Sequence, residues 1–364
     1  MKKKIKMPDK ILLFVALALL SIGIIALTSA SIQESQKDFT NVYGYFLHQL
    51  IYGFLLGGIL GYMLYRFPYQ KLKKIALPMF AVSLFFMILV FIPQLSITTR
   101  GAHRWLNFGL FTFQPSELIK LTFIIYLAAW FNARVKEVSK KNSLISFSFL
   151  LGILLVLLIL QPDLSTLGII AATAIVIYFV AGANLKHLVT LGGTGIAVIF
   201  IFIKMSPYRL NRVLTLFDPT NDPLGVGYQI NQILIAIGSG RFFGAGLLRG
   251  TQKAFLPIAM SDSIFAVWAE ETGFLGSMLL LILFLILVLR GFKLATLVKD
   301  SFAKLIMIGI SSWFFIQATT NMAALMGIFP LTGITLPFIS YGGSSMAITL
   351  AATGLMLQLS KLTK

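Results

Sequence analysis

Asp262 is the residue of this sequence whose position best suits acid–base chemistry. It ends a long polar stretch, in Leu-Pro-Ile-Ala-Met-Ser-Asp-Ser-Ile-Phe-Ala, just before an apolar run long enough to cross a membrane. A carboxylate at that boundary is partly removed from water, which makes it a better general base. An acid at a helix start is equally suited to capping the free backbone N–H groups. Position alone therefore leaves general-base catalysis and helix capping both open.

Arg209 and Arg212 lie in the same stretch, residues 205–263, which is the one long connection between apolar runs. They are three residues apart, so they share one face of a helix. Guanidinium groups bind phosphate oxygens through paired hydrogen bonds, which makes these two candidates for holding a lipid whose head begins with a pyrophosphate. Pairing with phospholipid heads, or with Asp218 and Asp222, is the alternative.

A glycine-rich segment, Gly238–Gly250, follows in that connection. It carries the cation Arg249 near its end, and Lys253 follows it. Glycine allows backbone N–H groups to approach an anion, so we also expect Arg249 and Lys253 to contribute to anion binding. The glycine spacing does not match a dinucleotide-binding loop, and no strand precedes it. We expect the whole connection to form short amphipathic helices at the outer membrane surface, joined by tight turns.

Ionisable residues inside apolar runs are costly and are therefore functional candidates. Glu117 and Lys120 are three apart at the start of one run, where they can face each other as a structural ion pair or as ligand-binding groups. Asp163 begins another run, where helix capping and a ligand role suit it equally. Glu270 and Glu271 lie well inside the run after the long connection, and we expect structural pairing at least as much as chemistry.

The composition places these residues in a membrane. Of the 364 residues, 58% are hydrophobic and 12% are charged, which excludes an ordinary soluble domain. There are no cysteines, so disulfides, thiolate metal sites and thiol catalysis are excluded. The three histidines are far apart and give no basis for a zinc or heme site. We therefore predict an integral membrane protein built of α-helices.

The predicted fold is all-α and polytopic, with ten transmembrane helices and both termini cytoplasmic. The spans are residues 11–30, 45–65, 75–92, 115–131, 144–160, 164–182, 187–204, 264–289, 303–328 and 340–358. This orientation puts most Lys and Arg on the cytoplasmic side, as the positive-inside rule requires. The net charge of +18 is then a topology signal, and nucleic-acid binding is not needed to explain it. Residues 1–364 form a single transmembrane domain, with the extracytoplasmic loop 205–263 between spans 7 and 8.

A set of motifs resembles the SEDS family, which comprises the FtsW, RodA and SpoVE proteins. They run in order along nearly the whole chain: Gly101–Trp105, Gln114–Lys120, Gln161–Thr166, Arg209-x-x-Arg212, Asp222–Gln229, Ile235–Gly240, Ala269–Gly273 and Leu336–Ser345. Their joint occurrence is specific, and the resemblance is slightly closer to FtsW than to RodA. It implies a ten-span protein of the bacterial cytoplasmic membrane with its active site facing outward, in agreement with the charge distribution.

The resemblance implies a peptidoglycan glycosyltransferase that polymerises lipid II at the outer face of that membrane, for cell division or elongation. Its second substrate would be the lipid-linked growing glycan strand, and its partners a class B penicillin-binding protein and other divisome or elongasome membrane proteins. Asp262 aligns with the family's essential acid, at the end of the same loop. The family positions that line or flank the catalytic cavity are matched by Arg104, Glu117, Lys120, Arg209 and Arg212.

Ile258 and Met260 stand where the family usually has Glu and His, so any role of those residues in orienting the acid is absent or supplied elsewhere. The reaction needs a base for the attacking hydroxyl and positive charge for the departing pyrophosphate. No cofactor is indicated with certainty, and a divalent cation, Mg²⁺ or Mn²⁺, is neither required nor excluded. A lipid II flippase or other transporter, and a non-catalytic scaffold for the penicillin-binding protein, are the alternative functions.

Overall fold

The computed structural model describes residues 7–38, 41–99, 102–109, 111–218 and 225–363. Asp222, the predicted alternative partner of the loop arginines, and Gly101, which opens one of the motifs, lie outside these ranges.

A helix occurs at each of the predicted spans. In chain order these helices are α1 (Lys10–Asp38), the continuous run of α2 (Gly44–Gln49), a π-helical turn (Leu50–Leu55) and α3 (Leu56–Arg66), then α4 (Tyr69–Leu89), α5 (Pro115–Ala133), α6 (Lys141–Leu160), α7 (Leu164–Val180) and α8 (Leu185–Lys204). Three more follow the long connection: α11 (Ile264–Leu297), α12 (Ser301–Leu325) and α13 (Gly343–Ser360).

Eight helical stretches in the described residues are long and apolar enough to cross a membrane. The remaining two are α7, which is apolar but has only 17 residues, and α5, which carries Glu117 and Lys120 in its first turns. The chain is therefore a multi-pass helical membrane protein, and the number of crossings stays a prediction.

The expectation of an all-α fold is wrong in the connection between α4 and α5. A small antiparallel sheet forms there, from β1 (Ser96–Thr99), β2 (Ala102–Asn107) and β3 (Thr112–Phe113) in the order β1-β2-β3. The strands are rich in β-branched and aromatic residues, which suit an extended backbone. The sheet leads directly into α5, and the backbone N–H of Gln114, between the two, donates to Ser344 Oγ at the start of α13 at 3.1 Å.

The long connection contains helices, as the sequence predicts. They are α9 (Pro207–Phe217) and α10 (Val226–Ser239), followed by a 3₁₀ turn at Gln252–Ala254. Pro207 occupies the first turn of α9, where its missing N–H costs nothing and its fixed φ suits the helix. These helices bring basic side chains back toward the membrane-spanning bundle.

The most apolar stretch of α12 is 78% buried, which places this helix in the core of the bundle. It packs against α5, α7 and α11, and α13 packs against α3 where Gly61 and Gly354 bring the two backbones together. By contrast, none of α8 is buried, and it packs against α7 and α9. The core therefore lies on the side of the molecule away from α8.

One predicted span is broken. α11 consists of two helical segments joined at Gly273, whose φ of 67° and ψ of −159° are not helical. Only glycine adopts this conformation without strain. The part of α11 before the break carries Glu270 and Glu271, and it belongs with the long connection that packs around it.

Candidate active site

Asp262 faces a cleft between α9, α10, α12 and the segment that precedes α13, which is residues 326–342. The cleft is lined by Arg212, Gln229, Asp262, Ser263, Asn321, Ala324, Leu325, Leu331, Thr332 and Gly333. Asp262 is half-buried, and its Oδ2 atom lies 3.5 Å from the position that a Cβ atom on Gly333 would take. The absence of a side chain at Gly333 therefore leaves space in front of the carboxylate.

Asp262 lies just before the start of α11. The first helical residue of α11 is Ile264, and the N-cap is Ser263, whose hydroxyl donates to the carbonyl of Pro257 at 3.2 Å. Asp262 therefore precedes the capping position by one residue. Its side chain belongs to the cleft wall, where a carboxylate can accept a proton from a bound hydroxyl.

The backbone before Asp262 is held by the segment that precedes α13. The backbone N–H of Tyr341 donates to the carbonyl of Met260 at 2.8 Å, and the Ser340 hydroxyl donates to the carbonyl of Ser261 at 2.6 Å. Two consecutive carbonyls before the acid are thereby fixed. Met260, where the resemblance described above predicts His, contributes through its backbone carbonyl.

The π-helical turn after α2 supports this segment from behind. Gln49 is fully buried at its start, where its Oε1 accepts from the N–H of Gly342 at 3.0 Å and its Nε2 donates to the carbonyl of Ser340 at 3.4 Å. Single π-turns inside helices often occur at functional sites. The π-helical turn places the amide of Gln49 where it pairs with both a backbone N–H and a backbone carbonyl of the segment that precedes α13.

Two amides on α12, Gln317 and Asn321, were not singled out from the sequence. Asn321 Nδ2 donates to the carbonyls of Asp262 and Ile334, at 3.0 and 2.8 Å, and Gln317 Nε2 donates to the carbonyl of Thr335 at 2.8 Å. The two side chains are four residues apart and share one helix face. The feature of the sequence that could have identified them is a pair of amide side chains in an otherwise apolar span.

The two loop arginines have different positions. Arg212 lines the cleft and donates through Nη1 to the carbonyl of Leu331 at 2.9 Å. Arg209 does not line it, and its Nη1 donates to the carbonyl of Phe202, at the end of α8, at 3.3 Å. The structure therefore places Arg212, and not Arg209, beside Asp262.

Glu117 and Lys120 form the ion pair that their spacing allows. The Lys120 ammonium lies 2.8 Å from the Glu117 carboxylate, and the two side chains are only 3% and 7% exposed. Lys120 also donates to Gln317 Oε1 at 2.9 Å and lies 5.1 Å from the centre of the Trp313 ring. Lys120 lines a separate apolar cavity between α5, α7 and α12, and Gln317 connects it to Thr335 in the segment that precedes α13.

Arg104 and Asp163 lie around the start of α7. Arg104 Nε donates to the carbonyl of Gln161 at 3.0 Å, and Asp163 is the N-cap of α7, accepting from the N–H three residues further on at 3.2 Å. This helix start is joined to the cleft wall by the Ser165 hydroxyl, which donates to the carbonyl of Thr332 at 2.8 Å. Both charged side chains thus fix an element that supports the cleft.

Lys253 does not reach the cleft. Its ammonium lies 3.1 Å from Glu271, the two side chains are 8% and 1% exposed, and Ser29 of α1 contacts both. Glu270 is also engaged, because its Oε1 accepts from two backbone N–H groups of the loop, at 2.6 and 2.9 Å. Both glutamates therefore have structural partners, which is the alternative that the sequence favours at least as much as chemistry, and Lys253 is one of these partners.

The glycine-rich segment packs against protein, which corrects the expectation that its backbone faces an anion. A Cβ atom on Gly240 or Gly244 would overlap the backbone of the first part of α11, and one on Gly250 would lie 2.7 Å from Glu270 Oε2. Arg249, at the end of the segment, is exposed on the outside of this packing. Across the described ranges, no group of three or more His, Asp or Glu side chains is arranged to hold a metal ion.

The fold and the cleft define a class of protein: a multi-pass helical membrane protein that presents a carboxylate and a guanidinium together beside a long connection between helices. The family model of FtsW, RodA and SpoVE, described as cell cycle proteins, matches residues 9–364. The chain belongs to this family.

Curated relatives match over nearly the full length. The chain is 36% identical over 361 residues to stage V sporulation protein E of Bacillus subtilis (strain 168), covering 98% of each chain. It is 37% identical over 354 residues to the probable peptidoglycan glycosyltransferase FtsW of Trichlorobacter lovleyi, covering 97% of this chain and 93% of the relative.

Solved structures share the fold. One belongs to a peptidoglycan synthase complex described for its coordination of polymerization and crosslinking, with a TM-score of 0.81, 30% identity and 97% coverage of each chain. Another is the rod shape determining protein RodA of Thermus thermophilus, with a TM-score of 0.71, 27% identity and coverage of 97% and 96%.

Proposed function

We propose that the chain is a peptidoglycan glycosyltransferase that polymerises lipid II into glycan strands at the outer face of the bacterial cytoplasmic membrane. The observation that carries the proposal is the cleft shared by Asp262 and Arg212, which offers a base and a positive charge to one bound substrate. Relatives named as probable peptidoglycan glycosyltransferases, matching over 97% of the chain or more, support the same activity.

The reaction is an inverting displacement. The lipid-linked growing strand is the donor, and lipid II is the acceptor. Asp262 takes the proton from the 4-hydroxyl of the acceptor GlcNAc while that oxygen attacks C1 of the donor MurNAc. The new glycosidic bond forms as the bond from C1 to the pyrophosphate breaks, and polyprenyl pyrophosphate leaves.

Arg212 stabilises the charge that develops on the leaving group. Its bond to the carbonyl of Leu331 holds the guanidinium at the cleft before substrate binds, and a preorganised charge of this kind lowers the barrier. Arg209 and Arg249 attract the anionic head group from outside the cleft. The groups that hold the surrounding elements in place are Arg104, Glu117, Lys120, Asp163 and Lys253.

The protein works with a class B penicillin-binding protein that cross-links the product. The similarity to a chain of a peptidoglycan synthase complex in which polymerization and crosslinking are coordinated supports this pairing. Its cellular role is in division or elongation, together with the membrane proteins of the divisome or elongasome.

The deciding experiment is Asp262→Asn in the purified complex with the penicillin-binding protein. Asn has nearly the same size but cannot accept a proton, so lipid II polymerisation is expected to fall on the order of 10²- to 10⁴-fold, while lipid II binding and complex formation persist. Glu137→Gln, which changes an exposed acid between α5 and α6, is the matched control and keeps the wild-type rate.

Other outcomes identify other functions. Strand synthesis by Asp262→Asn at the wild-type rate excludes the residue as base. A flippase predicts lipid II transport without polymerisation in the wild type. A scaffold predicts that the partner's output is unchanged by Asp262→Asn as long as the partner still binds.

A further inference from the structure

Asn321 is fixed in one orientation by the groups around it. It lies on α12, is 2% exposed and lines the cleft. The carbonyls of Asp262 and Ile334 lie 3.0 and 2.8 Å from one side-chain atom, and both can only accept hydrogen bonds. That atom must therefore be the NH₂ group, which has two protons to donate. The orientation of the amide follows from its neighbours.

The remaining polar atom of this side chain is an unsatisfied acceptor. Asn321 Oδ1 is buried and has no hydrogen-bond partner in the part of the chain that the structure describes. Buried acceptors almost always have a hydrogen-bond partner, because a buried acceptor without one has lost its hydrogen bonds to water and gained none in return. An orphaned oxygen on a residue of the catalytic cleft is explained when the ligand brings the donor.

The free atom of Asn321 needs a hydrogen-bond donor. The backbone carbonyls of Asp262 and Ile334 both accept from its Nδ2, so only Oδ1 is left for a ligand, and an amide oxygen can only accept. An amide N–H donates and presents no lone pair on the same atom. An N-acetylated sugar carries such an N–H on the same ring as the hydroxyl that Asp262 deprotonates.

We propose that Asn321 accepts a hydrogen bond from the acetamido N–H of the acceptor sugar while it holds the backbone of Asp262. Asn321 is thus a specificity-determining residue for N-acetylated acceptors and a positioning residue for the base. The acetamido N–H as the donor rests on the proposed function, whereas the requirement for a hydrogen-bond donor at Oδ1 rests on the geometry of the amide.

The test compares binding of lipid II with that of an analogue whose GlcNAc carries an acetate ester in place of the acetamide, so that the N–H becomes an oxygen. The wild type is expected to bind lipid II about three- to tenfold more tightly than the ester, as one hydrogen bond provides. Asn321→Ala is expected to bind both equally.

Thr319→Ala is the matched control, because this α12 hydroxyl bonds only to carbonyls of its own helix, those of Phe315 and Ile316. It keeps the wild-type preference. Asn321→Ser, whose shorter side chain withdraws the acceptor from the cleft, repeats the measurement with less change in volume and serves if Asn321→Ala fails to fold. Equal binding by the wild type, or a preference that survives in the folded Asn321 variant, overturns the proposal.

The positioning role has its own measurement. Asn321→Ala and Asn321→Ser are expected to shift the acidic limb of the pH–rate profile of polymerisation, because they release the backbone of the base. A loss of the same proportion at every pH is a structural effect and contradicts this role. Because the binding comparison needs no turnover, a wild type that binds with the predicted preference but makes no glycan refutes the proposed function and leaves the acetamide inference standing.

Discussion

Arg209 and Arg212 cannot be distinguished from the sequence, because they lie three residues apart on the same face of one amphipathic helix. Their surroundings in the structure differ. Arg212 is anchored at the cleft through Leu331, while Arg209 is anchored to Phe202 at the end of α8. A charge held next to the reacting atoms acts in a poorly screened environment, whereas one further out is screened by water and salt. We therefore expect the two side chains to contribute unequally to the proposed reaction.

Arg212→Ala is expected to lower the kcat/KM of lipid II polymerisation by about ten- to a hundredfold, because a charge-assisted contact contributes about 1.5 to 3 kcal/mol. Arg209→Ala is expected to cost less than about threefold, within the range of exposed ion contacts. Both are measured on the purified complex. Equal losses in the two variants contradict the position assigned to Arg212.

The pair of Glu117 and Lys120 allows a double-mutant cycle. Glu117→Gln and Lys120→Met each strand a buried charge, so each alone is expected to destabilise the protein by about 3 to 5 kcal/mol. The double variant is expected to lose less than the sum of the single losses, since no charge is left unpaired. Thermal unfolding in detergent measures all four proteins, and strictly additive losses refute a direct pair.

At the scale of elements, the break in α11 allows the long connection to pack closely against this helix. The loop glycines pass close to Gly273, and a side chain there would overlap the backbone of Gly244. Its φ of 67° is also strained for any other residue. The close approach lets Glu270 satisfy two backbone N–H groups of the loop. The long connection, which ends at Asp262, is thereby tied to the bundle.

Gly273→Ala is expected to destabilise the protein by about 2 kcal/mol or more, because both the strained φ and the steric overlap oppose it. Gly152→Ala is the matched control: this α6 glycine has nothing within 4 Å of a new Cβ atom, and the change is expected to be neutral or stabilising by up to about 1 kcal/mol. Melting temperature and yield of folded protein measure both. A Gly273→Ala protein as stable as Gly152→Ala contradicts this account.

At the scale of the whole molecule, a polar contact joins the two ends of the described chain. Asp9, just before α1, receives two hydrogen bonds from Arg290 of α11, at 3.0 and 2.6 Å, and its backbone N–H donates to Ser360 Oγ of α13 at 2.9 Å. The hydrogen bond from Arg290 holds the pKa of the Asp9 carboxyl below its usual value of 3.8. The ionised form of Asp9 therefore stabilises the arrangement of α1, α11 and α13.

This contact makes stability depend on pH in a defined direction. Because the folded protein lowers the pKa of Asp9, its contribution is complete above the unfolded value of 3.8 and is lost as the pH falls through the lower, folded value. Asp9→Asn is expected to lower stability by about 1 to 2 kcal/mol at pH 7 and to lose less on acidification than the wild type. Melting curves from pH 3 to pH 7 measure this, and parallel curves for the two proteins contradict it.

The positions of the membrane-spanning helices and the pairs within a single helix can be predicted from the sequence. Apolar helices of membrane length occur at eight of the ten predicted spans in the described residues, and Glu117 with Lys120 needed only their spacing of three residues to predict a contact. The cap at Asp163 is local in the same sense. Each of these features depends on a short stretch of chain and on helical geometry, which the sequence itself determines.

The composition of the cleft was decided by the tertiary structure. Asp262 and Asn321 come together from a loop and a helix far apart in the chain, as do Lys253 and Ser29. Arg209 and Arg212 differ because each meets a different neighbouring segment. Spacing along one helix carries no information on which distant segment packs against it, because that choice depends on how all the helices fill the core together. The sequence therefore determined the family, most of the spans and the candidate acid, whereas the packing of the bundle determined which side chains surround that acid.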